Sequence, residues 1–334
     1  MSKGTILVTG GAGFIGSHVC DALIADGHVV RCFDNLATGK RGNISHLEEG
    51  AAFSFVQGDL RSLDDLKTAV AGTSAVVHLG ALGSVPRSIA DPLPSEAANL
   101  AGFVNLLEAA RNAGLKRIVY ASSSSVYGDS AELPKREGTE GRPLSPYAVT
   151  KAMDEAYAHL YHGMHGMELI GLRFFNVFGE RQDPEGPYAA AIPKFIRSLL
   201  KHEPPVVNGD GGQTRDFTYV GNAVQAVRCG LAASEVAFGE VFNIAYGDRC
   251  DLLTLVGHLR THLARLDPAI AKVGVDHAPD RPGDVRDSLA DVSKAKKLLG
   301  FAPAYDLEAG LERAVPWYAT HWKPHPTLPG RESV

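Results

Sequence analysis

The sequence predicts an α/β protein, a doubly wound parallel sheet carrying a smaller α/β lobe. Three observations predict it. Short β-branched apolar runs alternate with segments of helical spacing, a glycine-rich turn joins the first run to the first helix, and after about Asn176 the alternation gives way to polar loops bearing Pro and Gly. The runs are apolar throughout rather than at every second residue, the pattern of parallel strands covered on both faces.

Taken in order, strands are expected over 5–9, 29–33, 53–56, 75–79, 117–121 and 169–173. Helices are expected over 15–25, 63–70, 96–113 and 146–164. A polar loop over 179–187 leads to a helix over 191–201 and a short strand over 206–207. Core-like texture returns over 217–233 and 241–245, and further helices follow near 252–266, 292–298 and 307–318. The expected division is therefore 1–175 with 217–246 as a dinucleotide-binding domain, 176–216 with 247–322 as the smaller lobe, and 323–334 as a frayed tail.

Composition narrows the function. The 334 residues are 45% hydrophobic and 21% charged, enough apolar material for a sizeable core, which excludes a disordered chain. Thirty-three basic against 38 acidic residues leave a net charge of −5, with no broad basic surface for nucleic acid. The four cysteines, Cys20, Cys32, Cys229 and Cys250, have neither C-x-x-C pairing nor zinc-ligand rhythm and read as reduced thiols. With no leader-like start and no bilayer-length apolar stretch, a soluble cytoplasmic protein without a membrane partner is expected.

The segment TGGAGFIG places Gly10, Gly13 and Gly16 at intervals of three between a strand and a helix. The first permits a tight turn, the second lets backbone approach a pyrophosphate, and the third allows the helix to pack on the strand, the Rossmann-like dinucleotide pattern. Asp34 closes the second strand, where a carboxylate accepts both adenosine ribose hydroxyls and repels a 2′-phosphate; NAD is therefore the expected cofactor. Two alternatives stand beside this: Asp34 merely starts an Asp-Asn turn, or Arg31, Lys40 and Arg41 serve a 2′-phosphate. Asp59 is expected at the adenine, and Phe14, Ile15, Asn35, Thr38, Gly39, Leu60, Leu79 and Ala81 complete the expected cofactor contacts.

Tyr147 and Lys151 form a Tyr-x-x-x-Lys pair whose setting matters more than the motif. Ser145 is a natural N-cap and Pro146 suits the first helical position, so Tyr147 falls in the first turn with Lys151 on the same face. An ammonium beside the phenol, together with a positive nicotinamide, favours phenolate, which can take a proton from a sugar hydroxyl. Upstream, Ser123 or Ser124 ends a strand at the carboxyl edge of the sheet, within reach of a proton relay to Tyr147. Tyr147 and Lys151 are also expected to touch the cofactor. His159, His162 and His165, and likewise His258 and His262, lack a third ligand at sensible spacing and read as solvated helix faces, so no metal is expected.

TGGAGFIG, ASSSSVYGD, SPYAVTKA and LRFFNVFG, in this order, resemble the extended short-chain dehydrogenase/reductase family, specifically its nucleotide-sugar epimerases. RQDPEGPYAAAIPKF, NGDGGQTRDFTYV and RPGDVRDSLADVSKAKKLLGF resemble the substrate segments of the UDP-hexose 4-epimerases that act on UDP-N-acetylglucosamine. The resemblance implies a tightly bound NAD, a UDP-sugar substrate and a homodimer built on the helices over 96–113 and 146–164. It implies Ser123 as assistant to the Tyr/Lys pair, Asn176, Arg215 and Arg281 at the diphosphate, and Asp284 at the uridine ribose. Ser84 and Arg87, and the segment 188–192 that starts at Tyr188, are expected at the pocket edge.

Ser288 occupies a position where relatives restricted to UDP-glucose and UDP-galactose resemble one another in carrying tyrosine. Serine leaves room for a C2 acetamido group without excluding the plain hexose. The implied reaction removes the O4 proton at Tyr147 while C4 gives hydride to NAD, turns the 4-keto sugar over, and returns hydride to the opposite face. A UDP-glucuronate 4-epimerase, a 4,6-dehydratase or decarboxylase, and a non-catalytic NAD sensor are the competing readings. The neutral Ser124 and Ser125, where dehydratases resemble one another in carrying acids, weigh against the second, and the intact Tyr147/Lys151 pair against the third.

Overall fold

The computed structural model describes residues 3–185, 189–279 and 285–322. The first half alternates β1 (Lys3–Thr9), α1 (Phe14–Ala25), β2 (His28–Asp34), β3 (Phe53–Gln57), α2 (Leu63–Val70) and β4 (Ala75–His78). Two short helices follow, α3 (Val85–Ala90) and α4 (Pro92–Ser95), then α5 (Gly102–Asn112), β5 (Arg117–Ser123), α6 (Pro146–His165) and β6 (Glu168–Phe174). Next come β7 (Val177–Phe178), α7 (Ala191–Leu200), β8 (Val206–Asn208), β9 (Thr214–Arg215) and β10 (Thr218–Tyr219). The chain ends its described course with α8 (Val220–Ala232), β11 (Glu240–Ile244), β12 (Cys250–Asp251), α9 (Leu252–Ala264), β13 (Asp276–Ala278), α10 (Ser293–Leu299) and α11 (Leu307–His321). The expected tail over 323–334 lies outside the described residues.

The main sheet has seven parallel strands in the order β11-β6-β5-β4-β1-β2-β3. Strand order reverses between β1 and β4, and the crevice outside the carboxyl ends of strands at such a point is where ligands bind in this architecture. The β1–β4 register sets Thr9 opposite His78, with Thr9 Oγ1 2.7 Å from His78 Nδ1. Burial pushes the His78 imidazole down to about 3, so it is a neutral hydrogen-bonding group of the sheet.

Apolar residues cover the sheet on both faces, which is why its strands read as continuous runs. Val19, Cys20 and Leu23 of α1 and Ala223, Val224, Ala226 and Val227 of α8 fill one face. Leu66 and Ala69 of α2 and Phe103, Leu106 and Leu107 of α5 fill the other. The lobe has its own core, in which Phe195 and Ile196 of α7 meet Leu255 and Leu259 of α9 and Leu311 of α11. Its strands pair in twos: β7 with β10, β9 with β12, and β8 with β13.

Three expectations are corrected. The helix over 96–113 opens with a π-helical turn, Glu96–Ala101, because the buried Asn99 at its centre binds across to the Leu82 backbone. The helix over 292–298, assigned to the lobe, instead packs Ala295 and Leu299 into the main-sheet core. There Lys294 Nζ also reaches Glu240 at 2.7 Å. His262 is buried rather than solvated, with Nε2 2.8 Å from Glu308, and His162 is tied to the Met167 carbonyl at 2.8 Å. Among the described residues no group of three His, Cys, Asp or Glu side chains converges on a metal position, and no helix is long and apolar enough to cross a membrane.

Candidate active site

A cavity of about 430 Å³ lies at the strand-order reversal. Gly10, Gly13, Phe14, Ile15 and Gly16 border it on one side, and Leu60, Leu79 and Ala81 on another. Gly10 adopts φ +68°, open to glycine, and a Cβ placed on Gly16 would sit 2.1 Å from the Gly10 carbonyl oxygen. The turn is thus closed against side chains and open to a ligand. Helix α1 starts at Gly13 with no side-chain cap, so its first N–H groups remain for an anion.

Asp34, Asn35, Thr38 and Asp59 border the far end of the cavity, and Gly39 stands against the Asp34 carboxylate. Asp34 accepts from Ala12 N at 3.1 Å and from Leu36 N at 2.8 Å, so it does start a turn, while each oxygen keeps a second lone pair for a ribose hydroxyl. Burial raises its pKa, partly offset by those two N–H donors. The three nearby cations are committed elsewhere. Arg31 donates to the Ala69 and Ala71 carbonyls at 2.7 and 2.8 Å, Lys40 pairs with Asp183 at 2.6 Å, and Arg41 with Glu48 at 2.5 Å. Asp59 is held by Arg61 at 2.6 Å, which keeps its carboxyl well below the usual range. A dinucleotide carrying a free 2′-hydroxyl fits these residues, and one carrying a 2′-phosphate does not.

Tyr147 stands where its helix cap puts it. Ser145 Oγ accepts from Ala148 N at 3.1 Å, Pro146 opens α6, and Tyr147 N donates to Ser88 Oγ at 3.0 Å. One turn on, Lys151 Nζ reaches the Ala121 carbonyl at 3.0 Å and Asp154 Oδ2 at 3.1 Å. Ala121 itself borders the dinucleotide cavity, so the ammonium lies directly behind its wall. Burial alone would depress Lys151, but Asp154, Tyr147 and Glu155 outweigh it and hold the ammonium charged.

Asp154 answers with the opposite balance. Burial pushes its carboxyl up to about 6 against the pull of Lys151. A carboxyl raised above its unfolded value of about 3.9 binds its proton more tightly in the fold, so its contribution to stability is full below about pH 4 and is lost as pH rises through about 6. Asp154→Asn is expected to remove that slope. Thermal midpoints at pH 4.5 and 7.5 should fall more in the wild type than in the variant, and equal changes would show that Asp154 titrates as an exposed acid does.

Beside Tyr147 lies a second cavity, of about 270 Å³, bordered by Ser123, Ser124, Asn176, Arg215 and Ser288. A third, of about 230 Å³, shares Asn176 and Arg215 and continues to Ala189, Ile192, Phe217 and Leu252. The order is a chamber beside Tyr147, an amide and a guanidinium at the junction, and a slot of mixed lining beyond, where Phe217 and Leu252 stand with Asn208 and Gln213. Ser288 is 7% exposed, and its N–H is fixed on the Thr214 carbonyl at 3.1 Å. Arg215 Nη1 donates to the Thr214 carbonyl at 2.8 Å, and Asn176, at φ +34°, donates to the Asp216 carbonyl at 3.0 Å.

The expected pocket-edge segment over 84–87 reaches the chamber through Val85. Ser84 caps α3, accepting from Arg87 N at 3.2 Å. Arg281, Asp284 and Tyr188 lie outside the described residues. Sequence reasoning missed Asn99, whose amide also donates to Thr150 Oγ1 at 3.2 Å and so anchors α6, and Ser88, which receives Tyr147 N. It missed Lys135 at the chamber and Gly58, Arg61, Pro94 and Ala98 at the dinucleotide cavity. Only Pro94 and Gly58 carried a local signal, as turn residues.

Comparison with known proteins agrees with this geometry. The family model described as GDP-mannose 4,6 dehydratase matches residues 7–314. A putative UDP-glucose 4-epimerase of Methanocaldococcus jannaschii is 38% identical over 314 residues, 93% of this chain and 97% of that protein. The structure of UDP-N-acetylglucosamine 4-epimerase from Methanobrevibacter ruminantium in complex with UDP-N-acetylmuramic acid superposes with a TM-score of 0.88 at 38% identity, covering 95% of this chain and 99% of that one. UDP-glucuronic acid 4-epimerase from Bacillus cereus, in complex with UDP-glucuronic acid and NAD, superposes with a TM-score of 0.85 at 33% identity, covering 94% and 98%. On the length and identity of these matches, the chain belongs to the extended short-chain dehydrogenase/reductase family of NAD-dependent epimerases and dehydratases.

Proposed function

We propose that the chain is an NAD-dependent UDP-hexose 4-epimerase that prefers UDP-GlcNAc and UDP-GalNAc, tolerates UDP-glucose and UDP-galactose, and works through a 4-keto sugar. One observation carries the preference. Ser288, small and buried, borders the chamber that holds Tyr147, and a side chain of that size there supports a pocket roomy enough for an acetamido group. NAD, when bound, supplies a hydride acceptor that gives the hydride back in the same turnover.

The chain's own residues do the rest. Gly10 to Gly16 and the α1 N-terminus would hold the pyrophosphate, and Asp34 the adenosine ribose. Asn176 and Arg215 would grip the UDP diphosphate, with Phe217 and Leu252 beside Asn208 and Gln213 along the slot for the base. The Tyr147 oxygen takes the O4 proton and later returns it, Lys151 favours the charged phenol, and Ser123 orients the reacting hydroxyl. Tight holding at the nucleotide end and few contacts at the hexose let the keto sugar turn over. The two-lobe division, with Ser293–Leu299 returned to the main sheet, and a cytoplasmic location, with which four free thiols agree, belong to this reading.

The reading includes a homodimer. Val149, Met153, Tyr157, Leu160 and Met164 form an exposed apolar stripe along α6, 36% to 65% exposed. Light scattering should return twice the chain mass, and a monomer would remove this part.

Purified protein given UDP-GlcNAc, UDP-glucose and UDP-glucuronate separately, with C4 configuration followed by NMR, tests the whole. Inversion at C4 of UDP-GlcNAc is expected. Release of water or CO₂, or inertness toward all three with NAD supplied, would overturn it. Ser288→Tyr should lower kcat/KM for UDP-GlcNAc relative to UDP-glucose by about tenfold or more, the size of one steric exclusion in a shaped pocket.

A further inference from the structure

We propose that Asp216 is a positioning residue for the UDP-sugar site: its carboxylate fastens the segment carrying Ser288, and the loop after β11, to the chain that carries Arg215, and ligand binding depends on that fastening. The inference rests on the reading of the two cavities that share Asn176 and Arg215 as one UDP-sugar site. Asp216 itself borders neither cavity, whereas its chain neighbours do, Arg215 both of them and Phe217 the slot. The side chain between those two is 0% exposed.

Each carboxylate oxygen is taken by a different part of the chain. Oδ1 accepts from Gly247 N at 3.3 Å, just beyond β11, and Oδ2 accepts from Ala290 N at 3.2 Å, two residues past Ser288. The Asp216 carbonyl accepts from Asn176 Nδ2 at 3.0 Å. One residue therefore gathers the end of a main-sheet strand, the amide at the cavity junction and the Ser288 segment. On the near side of Ser288 the hold is Thr214, whose N–H donates to the Arg286 carbonyl at 3.0 Å and whose Oγ1 donates to Asp287 at 2.6 Å. Ser288 is thus pinned between two fasteners, Thr214 and Asp216, that are themselves two residues apart.

The charge of Asp216 depends on the same contacts. Burial pushes its carboxyl up to about 7, the N–H groups of Ala290, Gly247 and Tyr246 pull it down, and Asp248 pushes it up. What favours the charge is a set of backbone donors rather than a cation, so the carboxylate and the two segments hold each other. Asparagine keeps the shape but has one acceptor oxygen. In Asp216→Asn the amide NH₂ must face the N–H of either Gly247 or Ala290, and that segment is released. Tyr147 and Lys151 are set by α6 and the glycine turn by α1, so proton transfer and NAD binding keep their own supports.

The NAD-loaded wild type and Asp216→Asn are compared with UDP-GlcNAc and UDP-glucose, turnover being read by NMR, and with UDP alone by calorimetry. Asp216→Asn should raise KM for both sugars and weaken UDP binding by about tenfold or more, the size of one bond to a charged group, while kcat at saturating sugar stays within about threefold of wild type. Unchanged KM and UDP affinity, or a loss carried mainly by kcat, would overturn the proposal and leave Asp216 as a support of the fold alone. Hydrogen exchange read by mass spectrometry tests the fastening in the wild type, and so serves even where the variant does not fold. UDP should slow exchange over 286–291 together with 213–217, and no protection over 286–291 would overturn the proposal. Failure of the epimerase reading has a different signature, wild type inert toward both sugars with NAD supplied, and UDP affinity with the exchange pattern still decides the role of Asp216.

Discussion

Tyr147→Phe is expected to lower kcat by about 10²- to 10⁴-fold, the range that one positioned proton carrier contributes. The substitution deletes a single oxygen. What holds the residue in place is untouched, because Tyr147 N rests on Ser88 Oγ at 3.0 Å and the Tyr147 carbonyl accepts from Thr150 Oγ1 at 2.8 Å. The glycine turn and Asp34 are on the other side of the sheet reversal, so NAD content and thermal midpoint should stay close to wild type. The loss should therefore appear as C4 inversion slowed in NMR time courses at saturating sugar. Residual turnover would come from Ser123 and Ser124, which border the same chamber. Turnover equal to wild type would remove Tyr147 from the chemistry.

The parts of this site that sequence discloses are those whose cause is local. The cap Ser145, the opening Pro146 and the Tyr-x-x-x-Lys spacing lie within one turn and a half of helix, and the structure has them as the sequence reads. Helix α2 over Leu63–Val70 has the bounds its periodicity predicts, with Ser62 capping Asp65 N. Glycines at 10, 13 and 16 likewise announce a turn that only their own backbone needs.

What sequence conceals is set by distant partners. Strand β9 exists because Thr214 and Arg215 pair antiparallel with Asp251 and Cys250, a pairing no window around residue 214 contains. Lys135 borders the chamber beside Tyr147 because Ala290 lies beside it in an isolated bridge, more than a hundred positions away. The helix Ser293–Leu299 was given to the lobe because it follows lobe sequence, whereas its apolar face matches the sheet.

Arg173→Met should cost about 3–5 kcal/mol of folding free energy, the loss typical of a buried ion pair robbed of one partner. The guanidinium is 3% exposed and meets Glu155 through two parallel bonds, Nε to Oε1 at 2.8 Å and Nη2 to Oε2 at 2.7 Å. It also donates to Glu140 and, at 3.0 Å, to the Tyr127 hydroxyl, which passes a bond to Asn243 at 2.7 Å. Ser122 Oγ donates to Glu155 from the adjacent strand at 2.5 Å. Burial opposes the charge on Arg173, but Glu155, Tyr127 and Glu140 more than offset it. Methionine leaves the Glu155 carboxylate buried with one hydroxyl for company. The double variant Arg173→Met/Glu155→Leu removes both charges and should recover much of the loss, so the two single costs will not add. Urea unfolding measures this, and a single-variant cost below about 1 kcal/mol would show the network to be water-relaxed. Glu155 sits one turn beyond Lys151 on α6 and is the grip by which β6 holds that helix against β5. A helix released there lets Tyr147 drift, and since about 1 Å of misplacement can cost 10²-fold in rate, Arg173→Met should lose activity even at temperatures where it remains folded.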